Sequence, residues 1–188
     1  MQSYWFPKHY SDEAQRLRVP LGFVMVALFG WYAQPTAGSL KFGLPLAFLG
    51  VLIRAWAAGH LAKNEELVSS GPYAYTRNPL YVGTFLSGVG FSAASREPWL
   101  AVLFIAAFVL VYVPAMELEE QHLRTLFPAY ARYASQVPML IPRLRPIPAG
   151  GRFRGSLYWR NQEYNALGAY LAGTLWLAWR AGLVVIPW

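Results

Sequence analysis

Three carboxylates, Glu117, Glu119 and Glu120, stand together at the end of a long apolar run. Charged groups beside hydrocarbon are costly, and they tend to be kept for function. Glu120 has Arg124 four residues on, the spacing of a helical ion pair that contributes about 0.2–0.5 kcal/mol. Glu119 meets Leu123 at that spacing, so Glu119 is the carboxylate expected to point into a site. A second dense patch runs from Glu65-Glu66-Leu67-Val68 through Gly71-Pro72-Tyr73 to Arg77-Asn78-Pro79-Leu80-Tyr81, packing turn formers, hydrogen-bond donors and aromatics directly before another apolar run. Gly71-Pro72 marks a turn and Pro79 suits the first turn of a helix, while Tyr and Arg here also serve as interfacial anchors. Arg54 lies within an apolar stretch, where an ionisable group costs about 2.5–3.5 kcal/mol on insertion scales and so faces the protein interior. It is expected to meet an anionic substrate or to pair structurally with a glutamate.

Other chemistries are excluded. With no cysteine there is no thiol nucleophile or thiolate metal site. The histidines, His9, His60 and His122, are isolated, so no metal site is expected. There is also no Gly-x-Gly-x-x-Gly fingerprint for a dinucleotide.

The composition says which elements position these groups. Of the 188 residues, 56% are hydrophobic and 13% charged, against about 25% charged in soluble domains. This rules out a disordered segment and a soluble binding module, and predicts an all-α integral membrane protein with a single domain over residues 1–188. Five apolar segments, Val19 to Ala33, Phe42 to His60, Leu80 to Ala94, Trp99 to Met116 and Ala166 to Trp188, predict five transmembrane helices. The first and third fall short of the about 20 residues that cross a hydrocarbon core. Tight connections at Gln34 to Lys41 and Ser95 to Pro98 predict antiparallel hairpins of the first helix with the second and of the third with the fourth. From Met116 to Ser135, Leu123, Leu126, Phe127, Tyr130 and Tyr133 recur at helical spacing and predict a cytosolic amphipathic helix, broken or restarted at Pro128. The proline-rich stretch from Val137 to Pro148 and the Gly- and Arg-rich stretch from Gly150 to Arg160 are expected to lie irregularly on the membrane surface.

Twelve of the sixteen basic residues fall in segments 1–18, 61–79 and 117–165, so the positive-inside rule places all three in the cytoplasm. The net charge of +7 is assigned to anionic lipid headgroups rather than to nucleic acid. The polar first eighteen residues and the lack of an Ala-x-Ala pattern predict no cleaved signal peptide. A bacterial inner membrane is the expected location. Both chemistry-bearing segments then face the cytosol, where a soluble cofactor reaches them.

Taken together, Leu67-Val68-x-x-Gly71-Pro72-Tyr73-x-x-x-Arg77-Asn78-Pro79-x-Tyr81-x-Gly83 and Glu119-Glu120-x-x-Leu123-x-x-x-Phe127-x-x-Tyr130-x-x-Tyr133-x-x-x-Val137-Pro138 resemble the isoprenylcysteine carboxyl methyltransferase family, itself similar to the phospholipid N-methyltransferases. The resemblance covers about residues 50–145, a catalytic region followed by an additional C-terminal helix over 166–188. It implies an integral membrane enzyme that binds S-adenosylmethionine without a Rossmann domain. It further implies Glu65, Glu66, Leu67, Val68, Tyr73, Asn78, Pro79, Leu80, Tyr81 and Glu119 as cofactor-contacting positions. A sulfonium and an ammonium are stabilised by a carboxylate and by aromatic faces, and donors such as Arg77 and Asn78 bind a carboxylate or ring nitrogens.

Two positions depart from the family. Asn78 stands where prenylcysteine-modifying members have His, which excludes a titrating base there. Ala115 stands where they carry a substrate-pairing Arg, and Arg54 is the expected substitute. An amine or thiol acceptor needs a base, for which Glu119, Glu120 and, further off, His60 are the candidates. The acceptor is expected to be lipid-like or of the isoprenylcysteine type, with carboxyl O-methylation as the reaction. A phospholipid amine, a small hydrophobic thiol, a nicotinamide-dependent sterol-type reduction and a noncatalytic scaffold are the alternatives.

Overall fold

The computed structural model describes residues 5–184, and the last residues of the expected fifth span lie outside that range. The described residues form seven α-helices: α1 (Lys8–Tyr32), α2 (Ala37–Ala58), α3 (Pro79–Ser95), α4 (Pro98–Leu126), α5 (Tyr130–Gln136), α6 (Gly155–Arg160) and α7 (Tyr164–Arg180). Two of them, α2 and α4, are long and apolar enough to cross a membrane. Helices α3 and α7 have 17 residues each, and α1 carries charges from Lys8 to Arg18. Phe23, Val26, Trp31, Phe42, Val102 and Leu175 all point outward, an apolar belt that a water-soluble surface does not carry.

Close backbone approach holds α2 to α3. A Cβ built on Gly43 would sit 2.5 Å from the Gly90 carbonyl, and one on Gly50 would sit 2.4 Å from the Gly83 carbonyl. Ser87 donates its hydroxyl to the Ala47 carbonyl at 3.0 Å. Apolar side chains gain little from one another in lipid, so small residues that let backbones touch supply the contact.

The expected hairpin of the first helix with the second does not form as a packed pair. Helix α1 lies chiefly against α4. The extended link from Ala33 to Thr36 is instead drawn to the end of α3, where Gln34 N–H donates to the Ser95 carbonyl at 2.9 Å and Ser39 donates to Ala94 at 2.8 Å.

The expected separate amphipathic helix is also corrected, because α4 runs unbroken from the apolar run to Leu126. It accommodates Pro114 by a π-helical turn over Phe108–Tyr112. Proline has no N–H to give the carbonyl four residues back, and that carbonyl, on Leu110, accepts the Tyr10 hydroxyl at 2.7 Å. The helix ends before Pro128, and α5 begins at Tyr130.

After α5 the chain becomes a strap across the second motif. Arg77 N–H donates to Pro138 at 2.9 Å, Arg143 N–H to Tyr75 at 3.0 Å and Ile147 N–H to Ala74 at 3.2 Å. Thr76 and Asn78 side chains donate to the Met139 carbonyl, each at 3.1 Å. Prolines along this strap keep it extended, and the exchange of backbone bonds satisfies groups that would otherwise be buried unpaired.

Candidate active site

The two motifs converge on one cavity of about 1310 Å³. Its wall includes Glu66, Leu67, Val68, Tyr73, Arg77, Asn78, Pro79, Leu80, Tyr81 and Glu119, with Arg54 from α2 and Arg18, Gly22 and Val26 from α1. Lys8 and Lys63, both exposed, sit at its rim. At such a size it exceeds the about 300–1,000 Å³ of ordinary small-molecule sites, leaving room for two ligands side by side.

Glu119 is the carboxylate that reaches this cavity, but it is not alone there. Tyr81 donates its hydroxyl to Glu119 Oε1 at 2.9 Å, and Arg18 donates Nη1 to the same oxygen at 3.2 Å and to the Tyr81 hydroxyl at 2.7 Å. The 101 residues between Arg18 and Glu119 put this pairing beyond any helical spacing rule. At the start of an apolar run, Arg18 reads as an ordinary headgroup anchor. An aromatic cluster sets the position of Tyr81: Phe108 packs 4.8 Å from Phe85 and stacks 5.5 Å from Tyr112, whose edge meets the Tyr81 ring.

Several expected roles change. Glu120 turns away from the cavity into a buried pair with Arg77, Nη1 to Oε2 3.1 Å, rather than a solvated pair with Arg124. It is therefore not positioned to touch a substrate. Arg124 lies over the Tyr130 ring at 5.2 Å. Glu65 is also off the cavity wall, since Asn64 takes a left-handed conformation at φ 61° and turns Glu65 outward to Arg160 at 2.9 Å. Glu66 reaches the wall but pairs with Arg154 at 2.8 Å. His60 is buried against Ser70, Nδ1 to Oγ 3.0 Å, and does not line the cavity. The third carboxylate, Glu117, accepts the backbone N–H groups of Trp5 and Phe6 at 2.9 and 3.1 Å, which fixes the approach to α1.

Arg54 lines the cavity and is already matched by Glu163, with Nη2 donating to Oε2 at 3.0 Å and Nη1 to the Thr84 hydroxyl at 2.6 Å. Glu163 is buried at the start of α7. The sequence held a signal for it: a buried arginine requires an acid from another helix, and Glu163 stands just ahead of the last apolar run.

Tyrosines complete the wall. Tyr133 donates to the Tyr73 carbonyl at 2.7 Å, holding α5 on the motif loop. Burial pushes the phenols of Tyr73, Tyr130 and Tyr133 well above their ordinary range, so they remain protonated at neutral pH. Among the described residues no group of His, Asp and Glu could hold a metal ion.

Comparison with known proteins shows the family. Residues 46–130 match the phospholipid methyltransferase family. The chain is 33% identical over 169 residues to the cobalt-zinc-cadmium resistance protein CzcN of Cupriavidus metallidurans, covering 85% of this chain and 74% of that protein. It is 27% identical over 141 residues to the protein-S-isoprenylcysteine O-methyltransferase of Schizosaccharomyces pombe, covering 72% of this chain and 59% of that enzyme. The chain belongs to the phospholipid and isoprenylcysteine methyltransferase family. Another relative, the nickel-cobalt-cadmium resistance protein NccN of Alcaligenes xylosoxydans xylosoxydans, is 33% identical over 134 residues, with 68% of this chain and 63% of that protein covered. No solved structure matches. Methyltransferases of this family use S-adenosylmethionine, and the two long apolar helices and outward apolar belt of this chain suit a membrane protein. The family match takes in Arg54, the second motif and the glutamates of α4, and leaves Arg18 and Glu163 outside.

Proposed function

We propose that this chain is a five-span membrane methyltransferase that uses S-adenosylmethionine and takes a lipid-like acceptor laterally from the bilayer, with its motif segments on the cytoplasmic side of a bacterial inner membrane. The observation that carries this reading is the convergence of Glu119, the tyrosines and the Leu67-Val68 loop on one cavity beside α1. Its donor set fits the cofactor: Glu119 answers a positive charge, Tyr73 and Tyr81 lie on the same wall, and Asn78 and the backbone of the Pro79 turn supply polar contacts. Bound S-adenosylmethionine supplies a methyl group on a positive sulfur. The residues then act mainly by alignment, holding donor and acceptor in one cavity in an orientation suited to in-line transfer.

Arg18 and Tyr81 fix Glu119 through one oxygen, Oε1. Glu119 is thereby set as the wall carboxylate able to take a proton from a hydroxyl, thiol or amine acceptor. Lateral entry is supported by the lining, which takes in Gly22 and the outward-facing Val26 of α1 together with Arg54 of α2. Exposed Ile141 and Leu144, flanked by Arg143 and Arg145, suit contact with anionic headgroups. Carboxyl O-methylation loses its anchor, since Arg54 is already paired.

The test is binding of S-adenosylmethionine and of reduced nicotinamide cofactor to detergent-purified protein, wild type beside Glu119→Ala. Saturable binding of S-adenosylmethionine, weakened about tenfold or more in the variant as expected for loss of a charge partner in the cavity, supports the reading. Preference for the nicotinamide cofactor, or no binding of the methyl donor, removes it.

A further inference from the structure

Three arginines line the cavity, and each is matched by its own glutamate: Arg18 by Glu119, Arg54 by Glu163 and Arg77 by Glu120. The pair around Arg54 differs from the others. Its carboxylate comes from outside the family-matched region; like Glu120 it is off the cavity lining and little exposed, at 7%, but its partner Arg54 is the more open of the two arginines so matched, 26% exposed against 10% for Arg77. The docking of this last stretch of chain has other bonds besides the pair. Asn161 already donates to the Ala58 and Leu61 carbonyls at 3.0 and 2.9 Å, and Trp176 bonds the Gly30 carbonyl at 2.9 Å. A guanidinium left unmatched at that depth would attract any carboxylate entering between α1 and α2, and one matched from behind presents only a dipole.

We infer that Glu163 determines acceptor specificity by cancelling Arg54, so that the cavity takes an amphiphile with an uncharged polar head, a hydroxyl or thiol, and turns away fatty or prenyl carboxylates. This rests on the proposed methyltransferase reading for the identity of the ligand as acceptor, but the charge logic is read by binding alone. Removing Glu163 leaves a net positive wall that welcomes a carboxylate. Removing Arg54 leaves a net negative wall that welcomes an amine. Removing both restores the wild-type balance of charge, now without the dipole.

The experiment is displacement of tritiated 1-hexadecanol from the full-length, detergent-purified protein by unlabelled hexadecanol, hexadecanoate or hexadecylamine, without methyl donor. Wild type is expected to rank hexadecanol first. Glu163→Gln is expected to strengthen hexadecanoate about tenfold relative to hexadecanol, Arg54→Gln to strengthen hexadecylamine by a similar factor, and the double variant to return to the wild-type ranking. A wild type that binds no hexadecanol or ranks hexadecanoate first overturns the inference, as do single variants that weaken all three ligands alike, which is the mark of a purely structural pair. If Glu163→Gln does not fold, the Arg54→Gln and double-variant rankings decide by the same criteria. Failure of S-adenosylmethionine binding in wild type would sink the methyltransferase reading and leave these rankings intact.

Discussion

Against α3, helix α2 is so close that a Cβ on Gly50 would come within 2.4 Å of a backbone oxygen, whereas across the cavity Gly22 of α1 has nothing within 4 Å. Both are glycines in apolar helices, and they do opposite jobs. Gly50 lets two backbones touch and builds a rigid wall, the means by which helices associate where lipid removes the hydrophobic drive. Gly22 leaves a space. Helix α1 packs along α4, and its polar bonds lie on either side of Gly22. Glu117 binds its approach and Arg18 bonds Glu119 on one side, while Trp176 and Arg180 bond the Gly30 and Ala33 carbonyls, each at 2.9 Å, on the other. One face of the cavity is therefore closed by backbone contact, and the other leaves open space at Gly22.

The strongest way to break this contrast is a pair of substitutions at the two glycines. Overpacking costs about 1–3 kcal/mol where side chains yield. At Gly50 the Gly83 carbonyl and the Ser87 backbone would have to move, so Gly50→Val is expected to reach or exceed the top of that range and to abolish a monodisperse product in detergent. Gly22→Ala, with open space and helical backbone, is expected to be neutral or to stabilise by about 0.5–1 kcal/mol. Thermal unfolding of both variants checks this, and equal losses would mean that α1 and α3 pack alike.

Filling the gap sharpens the comparison next. Gly22→Trp places an indole in the cavity without displacing a neighbour, so the expected result is a loss of lipid-like acceptor binding of about tenfold or more, the scale of losing a well-filled apolar contact. Binding of S-adenosylmethionine, held on the other wall, should stay within about twofold on the same argument. Parallel titrations of the two ligands give the ratio. Equal losses of both would show that the cofactor reaches the Gly22 side of the cavity as well.

Ser87→Ala asks how much polar contact adds to the tight side. It removes the hydroxyl bond to Ala47 but leaves the glycine contacts. Interhelical hydrogen bonds in membranes contribute about 0.6 kcal/mol on average, so a small drop in unfolding temperature is expected, far below that of Gly50→Val. A drop of the same size would mean that the hydroxyl, and not the backbone approach, holds α2 to α3.

Much of the fixed side was legible in the residues. Apolar composition located the runs, Pro128 marked the end of α4, and Gly71-Pro72 and Pro79 put the residues from Leu67 to Gly83 on one loop and helix start. The open side was not. A short link between α1 and α2 implies adjacency in the chain, but packing depends on which faces carry small residues, and α2 spends its glycines on α3. Arg18 and Glu163 were missed for a related reason: each meets its partner across more than a hundred residues, 101 and 109, so no local spacing reveals them. Continuity of α4 past Met116 was hidden too, because the change from an apolar run to an amphipathic one marks a change of surroundings and not a break in the helix.

The smallest expected effect lies where α2 hands over to the motif loop. His60 follows the end of α2 and packs between Ser70 and Gly71, which takes φ 59° and brings its backbone so near that a Cβ would lie 2.6 Å from the imidazole Nε2. Burial, and then the positive charge of Arg154, hold this imidazole below its ordinary value of 6.5. The unfolded chain thus binds a proton more readily than the folded one, and stability follows the difference in bound protons. His60 contributes its full stability above pH 6.5 and loses it as the pH falls through the lower folded value. Unfolding temperature should therefore fall modestly on acidification below pH 6.5 in wild type, and by less in His60→Gln, whose amide keeps a partner for Ser70 without titrating. Since α1 is pinned elsewhere, hydrogen exchange in the same acid step should quicken around residues 58–74 and leave 10–30 unchanged. Acid loosening that appears first in α1, or a wild type no more acid-sensitive than the variant, would mean that the tight side of the cavity does not depend on this joint.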